Sequence, residues 1–358
     1  MVEYLSGNRI RGTTAERPNL GLPSGSVGGW VELGRTTLGS AGDTISVSSL
    51  PNKRYYQVLF HASPTSTANQ QIKFNNSSSG YARRGSEDGG GDFTSINQTH
   101  LNFSSGSNTY DRFHNYYISN LSSKEKLLIG QVVDNSGNGA GNAPSRLEGV
   151  GKWANTSSAF NRIDFTNTNA GSAFPSGTEC VVLGYDPDSD THTTNFWEEL
   201  ASVELTSTNT VLDSGTFTAK RYLWIELFAK ANTSLTSIGG RYNGDTGNNY
   251  ANRYSDNGGT DGTNTSQPIH TWTLGGNLAS GETQFTNVFV INNASNEKLS
   301  ICNTVEKGTS GAGTAPTRRE TVGKWANTTD QITQVQLVRT NTTGDFASGS
   351  FIKVWGSN

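Results

Sequence analysis

A six-residue string, GKWANT, occurs at Gly151–Thr156 and again at Gly323–Thr328, and its two tryptophans, Trp153 and Trp325, stand 172 residues apart. Self-similarity at a long fixed spacing outranks every local signal, because it means that one folding unit has been written twice. The same spacing carries Glu125, Lys126, Leu127 and Ile129 onto Glu297, Lys298, Leu299 and Ile301. It also carries Gly139, Ala140, Gly141, Ala143, Pro144, Arg146 and Glu148 onto Gly311, Ala312, Gly313, Ala315, Pro316, Arg318 and Glu320. Toward the amino end, with small length changes, Trp30 and Leu33 match Trp197 and Leu200, and Tyr81, Arg84 and Gly89 match Tyr250, Arg253 and Gly258. The chain therefore reads as an extension (1–26), a first repeat (27–185), a linker (186–194) and a second repeat (195–358).

Within each repeat, short apolar runs such as RYYQVLFHA, RYLWIELFA, FTNVFVIN, QVQLV and FIKVWG are separated by Gly, Asn, Ser and Asp. In QVQLV, Val335 and Leu337 alternate with polar neighbours, the period of a strand with one buried face. Charged residues are only 16% of the 358, and the 42 glycines and abundant Ser, Thr and Asn take their place. These residues favour turns over helix interiors, which excludes a helical bundle. Many short strands in about 160 residues per repeat bury their apolar faces most simply as a sandwich. The expected fold class is all-β: two tandem jelly-roll-like β-sandwich domains related by internal duplication.

The balance of 27 Lys and Arg against 30 Asp and Glu, a net charge of −3, is too even for broad phosphate neutralisation, so no nucleic-acid partner is expected. No stretch approaches the roughly 20 apolar residues of a membrane span, and the start MVEYLSGNRIRG lacks the apolar core of a secretion signal. Cys180 and Cys302 are too few for a disulfide framework or a cysteine zinc site and read as small buried hydrophobes. The five histidines, His61, His100, His114, His192 and His270, are scattered, and no nucleophile elbow, phosphate loop or HExxH pair accompanies them. No catalytic residue is assigned, and the chain is expected not to be an enzyme. Asp186, Asp188 and Asp190 alternate like the first ligands of a calcium loop, but Thr191 and Trp197 stand where its Gly and Glu belong. A solvated linker is the better reading, with calcium the one possible cofactor.

The glycine-rich segments GYARRGSEDGGGD and NYANRYSDNGGTD combine an aromatic with arginines and carboxylates. Aromatic faces beside planar hydrogen-bonding groups suit sugars and protein surfaces, so Tyr81, Arg84, Tyr250 and Arg253 are candidate ligand-binding residues. The competing reading is an ordered hairpin whose arginines pair with nearby carboxylates. Trp153 and Trp325, flanked by the same residues in both copies, read as buried structural tryptophans. Numerous Asn-x-Ser/Thr sequons, Asn97, Asn120, Asn155 and Asn327 among them, follow from composition and say only that the surface would tolerate glycans.

The stretches WVELGRTTLGSAGDTISVSSLPNKRYY, RYNGDTGNNYANRYSDNGGTDG and the GKWANT…FASGSFIKVWG ending resemble repeat modules of structural proteins of marine tailed phages and archaeal viruses. The resemblance covers both repeats and brings no catalytic residues with it. It implies a capsid, decoration or fibre subunit on a virion surface or in an extracellular assembly, partnered by copies of itself and by other virion or surface proteins. The alternative is a carbohydrate-binding pair of modules on a secreted or surface protein. In the assembly case the extension, with Arg9, Arg11 and Arg17, is a candidate arm adding a strand to a neighbour.

Overall fold

The computed structural model describes residues 29–63, 70–103, 109–186, 195–236, 238–273, 277–308, 310–339 and 344–358. The candidate arm with Arg9, Arg11 and Arg17, and linker residues Asp188 and Asp190, lie outside the described residues. Every regular element among the described residues is a β-strand.

The first copy contains β1 (Val31–Thr37), β2 (Thr44–Val47), β3 (Tyr55–Ala62), β4 (Gln70–Phe74), β5 (Tyr81–Glu87), β6 (Phe93–Gln98), β7 (Leu101–Asn102), β8 (Arg112–Ser119), β9 (Lys126–Asp134), β10 (Ser145–Trp153), β11 (Ile163–Asn167) and β12 (Glu179–Tyr185). They form an eight-stranded sheet in the order β1-β12-β3-β8-β9-β10-β5-β6 and a four-stranded sheet in the order β2-β11-β4-β7. Set aside the hairpins β5-β6 and β9-β10, and the eight remaining strands interleave as two four-stranded antiparallel sheets, the double Greek key of a jelly roll. The two hairpins extend only the larger sheet.

The second copy repeats the plan with β13 (Glu198–Glu204), β14 (Val211–Asp213), β15 (Tyr222–Lys230), β16 (Leu235–Thr236), β17 (Ile238–Tyr242), β18 (Tyr250–Asp256), β19 (Gly262–Gln267), β20 (Asn277–Leu278), β21 (Thr283–Ile291), β22 (Lys298–Glu306), β23 (Thr317–Trp325), β24 (Val335–Arg339) and β25 (Phe351–Ser357). Its large sheet runs β13-β25-β15-β21-β22-β23-β18-β19, position for position the order of the first, opposite β14-β24-β17. The edge pairing of β7 with β4 is reduced here to a single bridge, Gly240 to His270.

Alternation puts the apolar side chains of both sheets into one core per copy. In the first, Tyr56, Val58 and Phe60 of β3 meet Ile72, Phe74 and Phe165 of the small sheet, and Phe60 stacks on Phe165 with ring centroids 3.9 Å apart. In the second, Leu223, Ile225 and Leu227 of β15 meet Val335 and Leu337, the inward pair of QVQLV. Cys180 and Cys302 are buried and unbridged.

Packing divides the chain slightly differently from the duplication. One unit holds the described residues up to 87, 91–132 and 147–198, and the other holds 88–90, 133–146 and 199–358. Two loop tips that the sequence assigns to the first repeat thus belong to the second packing unit, because their polar groups find partners there.

Candidate interaction surface

The conserved string GKWANT builds the same constellation in both units. Trp153 and Trp325 are buried and lie nearly parallel to Tyr81 and Tyr250, with centroids 6.2 and 6.4 Å apart. Each tyrosine hydroxyl accepts a backbone N–H, from Phe74 (2.8 Å) and from Tyr242 (3.0 Å). A lysine ammonium stands 5.7 Å from each indole, Lys126 in one unit and Lys298 in the other. Each ammonium donates to three carbonyls: Ser122, Lys124 and Asn155 for Lys126, and Ala294, Asn296 and Asn327 for Lys298. Burial lowers the pKa of both, that of Lys298 to about 8. Asn155 and Asn327 close the following turn with their side-chain oxygens. In both units the tryptophan of the string packs into the core and the asparagine closes the turn that follows, so these two residues fasten the β10 or β23 end to the rest of its unit.

On the outer face of the large sheet the two copies part. In unit 2 the tip 133–146 is held by a cluster of charged groups. Lys324 Nζ donates to the Asn135 and Gly137 carbonyls (2.8 and 2.5 Å) and lies 3.6 Å from Glu297, so three acceptors face its three protons. Glu297 accepts from the Gly139 N–H (2.5 Å) and from Asn135 Nδ2 (3.2 Å). Arg146 forks onto Asp261 through Nη2 (2.6 Å) and Nε (3.3 Å), the bidentate pairing that gives both geometry and strength. Arg253 Nε donates to the Pro144 carbonyl (2.9 Å) and lies 3.0 Å from Asp88. The Ser266 N–H donates to the Ala140 carbonyl at 2.7 Å. Lys324 is fully buried, and that burial lowers its pKa against the opposing pull of Glu297.

The duplicates of these holding residues lie on unit 1: Lys152 for Lys324, Glu125 for Glu297, Arg84 for Arg253 and Asp92 for Asp261. They occupy matching places: Lys152 and Arg84 lie on β10 and β5 as Lys324 and Arg253 lie on β23 and β18, and Glu125 and Asp92 immediately precede β9 and β6 as Glu297 and Asp261 precede β22 and β19. Lys152 pairs with Ala82 and Val150 with Arg84 across β10-β5, as Lys324 pairs with Ala251 and Val322 with Arg253 across β23-β18. Even the bulge at the edge hairpin is kept, with Asn97 and Ser266 at φ 53° and 50°. Here, however, the groups are exposed: Lys152 pairs with Glu125 at 2.9 Å and Arg84 with Asp92 at 3.2 Å, all at the surface. Among them lie Leu127, Ile129 and Val150, 56%, 62% and 50% exposed, whereas their duplicates Leu299, Ile301 and Val322 are 0%, 1% and 2% exposed.

Several sequence-derived candidates fall elsewhere. Tyr81 and Tyr250 are core residues with buried rings and bonded hydroxyls, so the structure corrects their assignment to a ligand surface. Their burial follows from strand parity, since both open a strand on its inward side. Arg84 and Arg253 of the same strands do reach the outer face and pair with Asp92 and Asp88. Asp186 alone of the alternating aspartates is described, and no group of three or more His, Cys, Asp or Glu able to hold a metal occurs among the described residues. His114 contacts the Tyr116 hydroxyl through Nδ1 (2.5 Å) and His270 contacts Asn252 Oδ1 (2.8 Å), both fully buried. Burial pushes His270 down to about 3. No helix of the described residues is long and apolar enough to cross a membrane. Sequence reasoning passed over Lys152, Glu125, Leu127 and Ile129 as partners of a surface. Their signal was two apolar side chains kept at outward strand positions in both copies.

No protein-family model matches the chain, and no curated protein sequence matches it. Among solved structures, mouse laminin α1 chain domains LG4-5 are 12% identical over 92% of this chain and 89% of that one, with a TM-score of 0.19. The LG1-3 region of the laminin α2 chain is 8% identical over 88% of this chain and 64% of that one, with a TM-score of 0.20. Scores this low establish no common arrangement, and what the surface can do follows from its own residues.

Proposed function

We propose that this chain is a non-catalytic adhesion and assembly protein, a pair of jelly-roll modules that holds a macromolecular partner on the outer sheet face of unit 1. The observation that carries this is the exposed row Leu127, Ile129 and Val150 set between the surface pairs Glu125–Lys152 and Arg84–Asp92. An apolar patch rimmed by charges is the usual anatomy of a protein contact. A virion surface or an extracellular assembly, the setting that the sequence resemblance implies, is part of this proposal.

The test is a binding panel of immobilised chain against soluble chain and a glycan array, run with wild type, Ile129→Asp and Val150→Asp. Binding to at least one member that both variants lose is the expected result. Binding untouched by both variants, or turnover of a glycan, would overturn the proposal. A second reading, glycan recognition, draws on a different place in unit 1: Trp30 lies 6.2 Å from Tyr117 and 6.1 Å from Tyr185, and the Gln57 amide donates to the Tyr117 hydroxyl. Half-open rings beside an amide suit a sugar face. Tyr117→Ala abolishing an array signal that Ile129→Asp preserves would favour it.

A further inference from the structure

The duplication copied both halves of a fitted contact, and in each half-copy one member is left over. In unit 2 the tip 133–146 is seated by Glu297, Lys324, Arg253 and Asp261. The seat has a duplicate on unit 1 at Glu125, Lys152, Arg84 and Asp92, and the tip has a duplicate on unit 2 over residues 305–318, of which 305–308 and 310–318 are described. Two left-handed turns of the first tip recur in the second. Gly311 repeats the left-handed backbone of Gly139 (φ 94° and 83°) and Gly308 that of Ser136 (φ 59° and 47°).

Exposure follows the same division. In the first tip, Ala140, Pro144 and Arg146 are buried, while Ala312, Pro316 and Arg318 of the second are exposed. Beside the tips, Val133 and Phe113 are buried, while Val305 and Phe285 are exposed. The chain thus presents an open seat on one unit and an open tip on the other, each the duplicate of a partner already engaged.

From this we infer that the occupant of the unit 1 surface is a second copy of this chain, docked head to tail, with the second tip of one molecule on the seat of the next. This rests on the adhesion role proposed above and names its partner. The contacts are those of unit 2 transposed: Arg318 forks onto Asp92, Lys152 donates to the Lys307 carbonyl, Glu125 accepts from the Gly311 N–H, and Arg84 donates to the Pro316 carbonyl. Lys307 replaces Asn135 and brings an ammonium to the Glu125 carboxylate in place of an amide. Leu127, Ile129 and Val150 become buried as their duplicates are. Such a contact joins unlike surfaces, so it does not close on itself in a pair and propagates into a filament or a ring.

Two single variants, each altering one exposed surface of the full chain, test it: Ile129→Asp spoils the seat and keeps the tip, and Arg318→Glu spoils the tip and keeps the seat. Sedimentation from about 1 to 100 μM, the range in which a micromolar contact fills, should show wild type growing in multiples of 38.3 kDa. Each variant alone should remain monomeric, and their mixture should stop at a dimer, because one good tip meets one good seat. Asp92→Arg combined with Arg318→Asp should recover growth that Asp92→Arg alone loses. Circular dichroism of every variant should match wild type. A wild type that stays monomeric throughout, variants that still grow, or a mixture that forms no dimer would each overturn the head-to-tail contact. The adhesion role would still stand if the binding panel showed another partner lost with Ile129→Asp, so the two ideas fail separately.

Discussion

The outer faces of the two large sheets carry the same residues at the same register in opposite circumstances. Around Lys324 the ammonium, the Glu297 carboxylate and Asn135 are buried, while around Lys152 the same ammonium and carboxylate meet at the surface. One sequence motif therefore makes a strong, desolvated contact and a weak, wet one. What differs is whether the backbone carbonyls of a tip are present to complete the lysine's coordination. An ion pair in water contributes little; the same pair buried contributes only when all its hydrogen-bonding capacity is met.

The largest expected effect breaks this contrast directly. Lys324→Ala leaves the buried Glu297 carboxylate without its cation and is expected to destabilise unit 2 by about 3–5 kcal/mol. Lys152→Ala in unit 1 is expected to change stability by less than about 1 kcal/mol. Denaturant titration with a tryptophan fluorescence signal reads both. Equal losses would mean that the two lysines share one environment and that the comparison fails.

Next in size is a difference hidden inside the cores. Unit 1 has Ile72 on β4 and Phe103 after β7, whereas unit 2 has Gly240 and Trp272 at the duplicate positions. A Cβ on Gly240 would meet the Trp272 ring at 2.3 Å, while in unit 1 the room for Phe103 is made at Gly149, where a Cβ would meet its ring at 2.6 Å. The duplicate of Gly149 is Thr321. Each unit thus clears space for one aromatic ring, but from opposite sheets. Gly240→Ala is expected to cost about 1–3 kcal/mol through overpacking, seen as a lower denaturation midpoint for unit 2 with unit 1 unmoved.

This exchange also marks where the sequence stops being legible. Strand parity in RYYQVLFHA and QVQLV, the turn residues and the repeat spacing were enough for two jelly rolls, because each is a local or one-dimensional signal. The trade of Gly149 and Phe103 for Gly240 and Trp272 is a contact across the sandwich, and no spacing along the chain encodes it. At the surface, Arg84 and Arg253 stood out because they belong to unusual glycine-rich segments. Tyr81 and Tyr250 stood out for the same reason, but one residue of strand phase sends them inward. Glu125 and Lys152 were visible as repeated letters, yet only the pairing of β9, β10 and β5 brings them beside Arg84.

A pH response sharpens the comparison from the inside, where the units agree. Lys298 has its folded pKa lowered to about 8 by burial, against roughly 10.4 in the unfolded chain. Between these values the unfolded chain binds more protons, so the stability of unit 2 rises with pH from about 8 toward 10 and is insensitive to this group below that window. Lys126, with the same three kinds of carbonyl partner and a pKa lowered for the same reason, contributes in the same direction in unit 1. Thermal melts of wild type and Lys298→Met from neutral pH to pH 10 should diverge in slope only in that window. A slope that survives Lys298→Met unchanged would assign the response to other groups.

The smallest expected effect is the most telling for the outer faces. In the isolated monomer, Ile129→Asp should alter the stability of unit 1 by no more than about 0.5 kcal/mol, as for a surface position with no buried partner. The isoleucine is 62% exposed, so an aspartate there keeps its water and disturbs no packed neighbour. The measurement must be made at a concentration where Ile129→Asp and wild type sediment alike, since association would otherwise add to wild-type stability by mass action. Under that condition a loss well beyond this limit would mean that the side chain is covered in the free chain. The two outer faces would then be equally occupied, and nothing would be left for a partner to cover. A loss that instead appears only as concentration rises would measure, in the same experiment, how much of the stability of unit 1 is supplied from outside it.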